Sequence, residues 1–96
     1  MNQTGTRLIF RQTGNPTEVL ELEEFPLTTP GAGEVLVRMV AAPLNPADLN
    51  TVEGTYGVKL ALPATPGIEG CGVVEASGSL DYLPGDHVIF LKRSAT

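Results

Sequence analysis

The 96-residue chain has a single cysteine and a single histidine, and only six of its side chains are basic. Each scarcity excludes a class of function. One thiol, Cys71, cannot close an intramolecular disulfide, and a lone cysteine fits a reducing compartment. One cysteine and one histidine with no partner at ligand spacing fall short of the three or four donors that a zinc site needs. Six scattered cations against eleven acids leave a net charge of −5, the wrong sign for a ligand built on phosphate backbone; no nucleic acid is expected. No apolar run approaches the ~18 residues of a membrane-spanning helix, and no membrane is expected. The first residues, Met1 to Arg7, carry neither the basic and apolar regions of a secretory signal nor an Arg-rich transit sequence. The expected location is therefore the cytoplasm, with the mitochondrion as the alternative.

Long uninterrupted stretches are also missing. Eleven glycines and eight prolines cut the chain so finely that the longest piece free of both is Asp86 to Thr96. Helices average about 11 residues, and Gly and Pro cost about 1 and about 3 kcal/mol in their interiors. A helical bundle is excluded, and a doubly wound α/β unit has no room. The hydrophobic content of 42% is that of a globular chain, and the length allows one domain, residues 1–96.

What remains reads mostly as short strands. Thr6 to Gln12 is followed by a turn at Thr13-Gly14-Asn15-Pro16 and by Val19 to Phe25, where Leu20 and Leu22 alternate with Glu21 and Glu23; this predicts a hairpin whose glutamates face water. Glu34 to Ala42, with Val35, Val37 and Met39 on one face and Leu36 and Val40 on the other, predicts a strand buried on both sides. Gly70 to Ser77 and His87 to Leu91 are further strands, the latter after a turn at Pro84-Gly85-Asp86. One segment differs. Asn45 as N-cap, Pro46 at the first helical position, Asp48 near the positive dipole end and Gly54 as left-handed terminator predict a two-turn helix. Five or six short strands with one short helix predict a mostly β chain folded as a small antiparallel barrel or sandwich.

Few side chains offer chemistry. Cys71, between glycines in a strand, reads as a small core hydrophobe, and His87 after its turn as a surface hydrogen-bonding group. Gly31-Ala32-Gly33 and Gly67-Ile68-Glu69-Gly70-Cys71-Gly72 both lead into strands. A dinucleotide fingerprint must instead follow a strand and open a helix. These glycines therefore predict a bulge or a close backbone crossing. Tyr56 stands on a loop two residues past Gly54; its phenol can donate or accept a hydrogen bond, which suits a proton donor or an anchor for a developing enolate.

Taken in order, Pro30-Gly31-Ala32-Gly33-Glu34-Val35-Leu36-Val37, Leu44-Asn45-Pro46-Ala47-Asp48, Gly54-Thr55-Tyr56, Pro66-Gly67-Ile68-Glu69-Gly70-Cys71-Gly72 with Gly78, and Pro84-Gly85-Asp86-His87-Val88 resemble the N-terminal catalytic domain of medium-chain dehydrogenases/reductases. The resemblance implies a GroES-like β-barrel that in the family is joined to a Rossmann cofactor domain, which this chain lacks. Zinc-dependent members carry Cys where this chain has Asn45 and His where it has Ile68, so the resemblance points to the zinc-free branches, quinone oxidoreductases and trans-2-enoyl-CoA reductases. Asn45 to Asn50 followed by Gly54-Thr55-Tyr56 looks closer to the enoyl reductases. It implies NADPH as cofactor and an enoyl thioester or quinone as substrate. It also implies Tyr56 as the catalytic residue at the substrate carbonyl, Asn45 lining the cleft near nicotinamide, no metal, and a homodimeric parent enzyme. The 96 residues alone are then expected to be inactive. The contrasting expectation is a stand-alone, non-enzymatic GroES-like module for binding or oligomerisation, because a fold does not fix a function.

Overall fold

The structure, a computed structural model, describes residues 3–57 and 59–91; the last residues of the long Gly/Pro-free stretch lie outside them. Five strands and two short helices follow in the order β1 (Thr4–Phe10), α1 (Pro16–Val19), β2 (Leu20–Pro26), β3 (Val35–Ala41), α2 (Pro46–Glu53), β4 (Gly70–Ser77) and β5 (His87–Phe90). The described residues fall into two compact units. Residues 3–26 with 44–57 and 59–67 form one, and 27–43 with 68–91 form the other.

In the first unit β1 and β2 pair antiparallel, with Leu8 opposite Leu22 and Phe10 opposite Leu20. The expected hairpin is present, but its connection is not a tight turn. Asn15 accepts the Thr17 N–H through Oδ1 at 3.0 Å and opens the four-residue helix α1 with Pro16 at its start. A pattern that supplies a turn also supplies an N-cap, so the described residues hold two short helices where one was expected. The apolar face of the hairpin is buried only at one end. Phe10 is 1% exposed and packs with Val19, Val52, Ala64, Leu20 and Leu60, whereas Leu22 at the other end is 75% exposed. A short bridge fixes this core. Phe10 N–H donates to the Ala64 carbonyl at 2.9 Å and Ala64 N–H returns to Phe10 at 3.1 Å.

The glutamate face is also less uniform than the alternation predicts. Glu21 and Glu24 are exposed, but Glu23 is half-buried. Its Oε1 accepts from Arg7 Nη2 at 2.7 Å and from Nε at 3.0 Å, while Oε2 accepts from Arg11 at 2.8 Å. Gly5 stands opposite Phe25 and brings no side chain, and the Arg7 guanidinium lies 4.6 Å from the centre of the Phe25 ring. This is the geometry of a cation–π contact.

In the second unit β3, β4 and β5 form an antiparallel sheet with β4 in the middle. The register slips between Leu36 and Val37 and again between Met39 and Ala41. The second slip leaves Val40 without a partner on β4, and Val40 is 63% exposed. Burial of β3 on both faces is therefore not observed: Val35, Leu36 and Val37 are half-buried and the remainder of the strand is exposed. The expected close crossing is present. A Cβ at Gly72 would collide with the Arg38 carbonyl oxygen, and one at Gly78 with the carbonyl oxygen of Gly31. There the backbones are held by Gly33 N–H to the Gly78 carbonyl, 2.9 Å, and by Gly78 N–H to the Glu34 carbonyl, 2.8 Å.

Candidate functional site

The site residues proposed from sequence in the first unit flank α2, Asn45 as its N-cap and Tyr56 on the loop that leaves it. Asn45 precedes the helix in an extended conformation, φ −102° and ψ 150°, as a residue before proline prefers. Its backbone is held at both groups: the Asn45 N–H donates to Asp48 Oδ2 at 2.9 Å and the Asn45 carbonyl accepts the Asp48 N–H at 2.9 Å. The acid three residues into the helix thus closes back on the cap, as in a capping box. Thr51 Oγ1 donates to the Ala47 carbonyl at 2.7 Å, tying the first turn to the second.

The other end stops at Gly54, which takes φ 83°, a left-handed conformation costly for other residues. The loop then folds over the helix terminus. Thr55 and Tyr56 both direct their N–H groups to the Asn50 carbonyl, at 2.9 and 3.3 Å, and the Lys59 ammonium donates to the Gly54 carbonyl. A cation at the negative end of a helix is electrostatically favoured. Tyr56 has its backbone fixed in this way while the residue is 39% exposed, so the phenol is partly open to solvent on an ordered base. Nine residue steps of about 1.5 Å separate the N-cap Asn45 from the C-cap Gly54, so the two caps stand about 14 Å apart along the helix axis. Asn45 caps the start of α2, and Tyr56 stands in the loop just past its C-cap.

Asp48 is what the sequence reading did not foresee. It is 5% exposed and is the buried polar side chain among the described residues; the Asn-x-x-Asp spacing announces a cap but not its burial. In the second unit, Cys71 is half-buried in β4 and His87 begins β5 exposed to solvent. Among the described residues no three of His, Cys, Asp and Glu stand close enough to hold a metal ion, and no helix is long and apolar enough to cross a membrane. A depression of about 320 Å³ lined by Arg11, Gln12, Glu18, Val19 and Glu21 includes neither Asn45 nor Tyr56.

Residues 31–95 match the alcohol dehydrogenase GroES-like domain, and the chain belongs to the medium-chain dehydrogenase/reductase family as its GroES-like, mostly β N-terminal domain. Within that family its relatives are specific. The mitochondrial enoyl-[acyl-carrier-protein] reductase of Caenorhabditis elegans is 45% identical over 83 residues, which cover 84% of this chain and 24% of that protein. The Escherichia coli quinone oxidoreductase solved in complex with NADPH superposes with a TM-score of 0.81 at 32% identity, over 94% of this chain and 28% of its own. The Etr1p complex with NADP and crotonyl-CoA gives 0.80 at 29%, over 91% and 28%. The chain thus spans about a quarter of the length of the relatives it matches.

Proposed function

We propose that the chain is the substrate-side domain of a zinc-independent, NADPH-dependent reductase acting on an activated C=C bond, an enoyl thioester in the first instance and a quinone in the second. The observation that carries the reading is Tyr56: a partly exposed phenol whose backbone is tied to the C-terminus of α2, in a chain similar to enoyl reductases. The mitochondrial names of those relatives favour the mitochondrion over the cytosol expected from the lone thiol. The parent enzyme is proposed to be a homodimer.

The residues of this chain fit one wall of such a site rather than a whole one. No Gly-x-Gly-x-x-Gly turn joins a strand to a helix among the described residues, so the dinucleotide is proposed to be held chiefly by a Rossmann domain outside these 96 residues, with Asn45 at the edge of the cleft beside it. Bound NADPH supplies the hydride. What falls to this chain is the charge that appears on the carbonyl oxygen when hydride adds to the β-carbon. The Tyr56 hydroxyl donates a hydrogen bond to that oxygen, or its proton to the enolate. A preorganised donor aimed at developing charge does the work for which zinc serves in other members of the family. Asn45 and Ile68, at the positions where those members carry ligands, offer a metal no thiolate and no imidazole.

The test is steady-state reduction of crotonyl-CoA by the full-length enzyme. Tyr56→Phe is expected to lower kcat by about 10²-fold, the usual effect of losing one oxyanion donor, while leaving the KM for NADPH in place. An unchanged rate would return Tyr56 to a packing role.

A further inference from the structure

Eleven acids occur in this chain, and among the described residues Asp48 is the one that is buried. Taking a carboxylate out of water is costly unless it is paired with a cation or fully hydrogen-bonded. Asp48 meets neither condition. No described cation lies within ion-pair distance of it; the recorded pairs all join arginines to Glu21, Glu23 or Glu75. Oδ2 accepts the Asn45 N–H, while Oδ1 is buried without a hydrogen-bond partner. Ordinary helix capping does not require this, because N-terminal caps act equally well at the surface with a solvated side chain. Local cost of this kind concentrates where the surrounding structure holds a functional group in place.

The group held is Asn45. The following Pro46 restricts its backbone to the extended region, its carbonyl is taken by the Asp48 N–H, and its own N–H is taken by a carboxylate that burial prevents from swinging away. From this geometry we infer that Asp48 is a positioning residue, which sets the direction in which Asn45 leaves the backbone at the cleft. The inference rests on the proposed role of Asn45 beside the cofactor. It assigns to Asp48 no contact with substrate or cofactor. Its contribution is orientation, and misplacement by about 1 Å can cost 10²-fold in rate.

A double-mutant cycle in the full-length enzyme separates this role from helix stability. Asp48→Ala is expected to lower kcat tenfold or more with little change in the KM for the thioester, and to have no further effect when added to Asn45→Ala, because the two act through one side chain. Asp48→Asn keeps an oxygen acceptor for the Asn45 N–H and is expected to recover most of the rate. Val52→Ala, which loosens the same helix from the core side, is expected to keep the wild-type kcat below its melting temperature. The inference is overturned if Asp48→Ala slows the Asn45→Ala enzyme by its full factor, or if Val52→Ala slows turnover as much as Asp48→Ala. Should Asp48→Ala fail to fold, amide hydrogen exchange at Asn45 decides: protection in the wild type and in Asp48→Asn is expected, and exchange at the rate of an unstructured chain overturns it. Failure of the underlying reading looks different. Wild-type rates in both Asn45→Ala and Tyr56→Phe would remove the assigned site together with the inference, whereas a slow Asn45→Ala beside an unchanged Asp48→Ala would remove the inference alone.

Discussion

Gly72 and Gly78 are positions where one methyl group would be least tolerated, since each faces a backbone carbonyl that no side-chain rotation can move. Gly72→Ala is expected to destabilise the protein by about 1–3 kcal/mol, the range for overpacking a tight site, measurable as a lower midpoint in urea unfolding. Gly57, with open space around its would-be Cβ, should accept alanine with little change. At the same scale, the Arg7 hydrogen bond holds the Glu23 carboxyl below its ordinary value of 4.5, helped by the charges of Arg7 and Arg11 and opposed by burial. A carboxylate whose pKa is depressed on folding contributes stability above its unfolded value and loses it as pH falls through the folded one. Thermal stability should therefore decline below about pH 4.5, and Glu23→Gln should flatten that part of the profile. An acid branch of unchanged slope in the variant would show that the Arg7–Glu23 pair carries none of it.

At the scale of elements, the core of the first unit is small, and Phe10 is its largest side chain with almost no exposure. Phe10→Ala should cost about 3–5 kcal/mol, a large share of the roughly 5–15 kcal/mol of a typical domain; circular dichroism should show a melting temperature lowered by many degrees or a chain already unfolded. The elements were legible in sequence to different degrees, for physical reasons. Helix α2 was legible because local chemistry marks both ends, Pro46 and Asp48 at the start and Gly54 at the stop, and the observed helix lies within the expected Asn45–Gly54 segment. The strands were legible from alternation. Helix α1 was not, because four residues carry no periodicity and Asn15-Pro16 suits a turn as well as a cap. The burial of Glu23 and Asp48 and the exposure of Leu22 and Val40 depend on what lies across the strand or beneath the helix. No local pattern encodes that.

At the scale of the whole molecule, the site is a division of labour. Tyr56 could be singled out in sequence as a loop phenol, and Asn45 only through resemblance to a family; the structure gives each an ordered base on α2 yet leaves them at opposite ends of it. Neither the hydride source nor the opposite wall of a cleft is formed by the described residues. The chain covers about a quarter of its relatives' length, which accords with a reading in which reduction needs a further domain. A ring-forming, non-enzymatic module would instead assemble by itself, and size-exclusion chromatography of the 96 residues separates the two: a stable defined oligomer would favour the module.

The most direct measurement follows NADPH oxidation with crotonyl-CoA by the 96-residue chain and by the full-length enzyme side by side. Turnover by the full-length enzyme and none by the 96 residues is predicted, whereas sustained NADPH-dependent reduction by the 96 residues alone would contradict the division of labour on which the account rests.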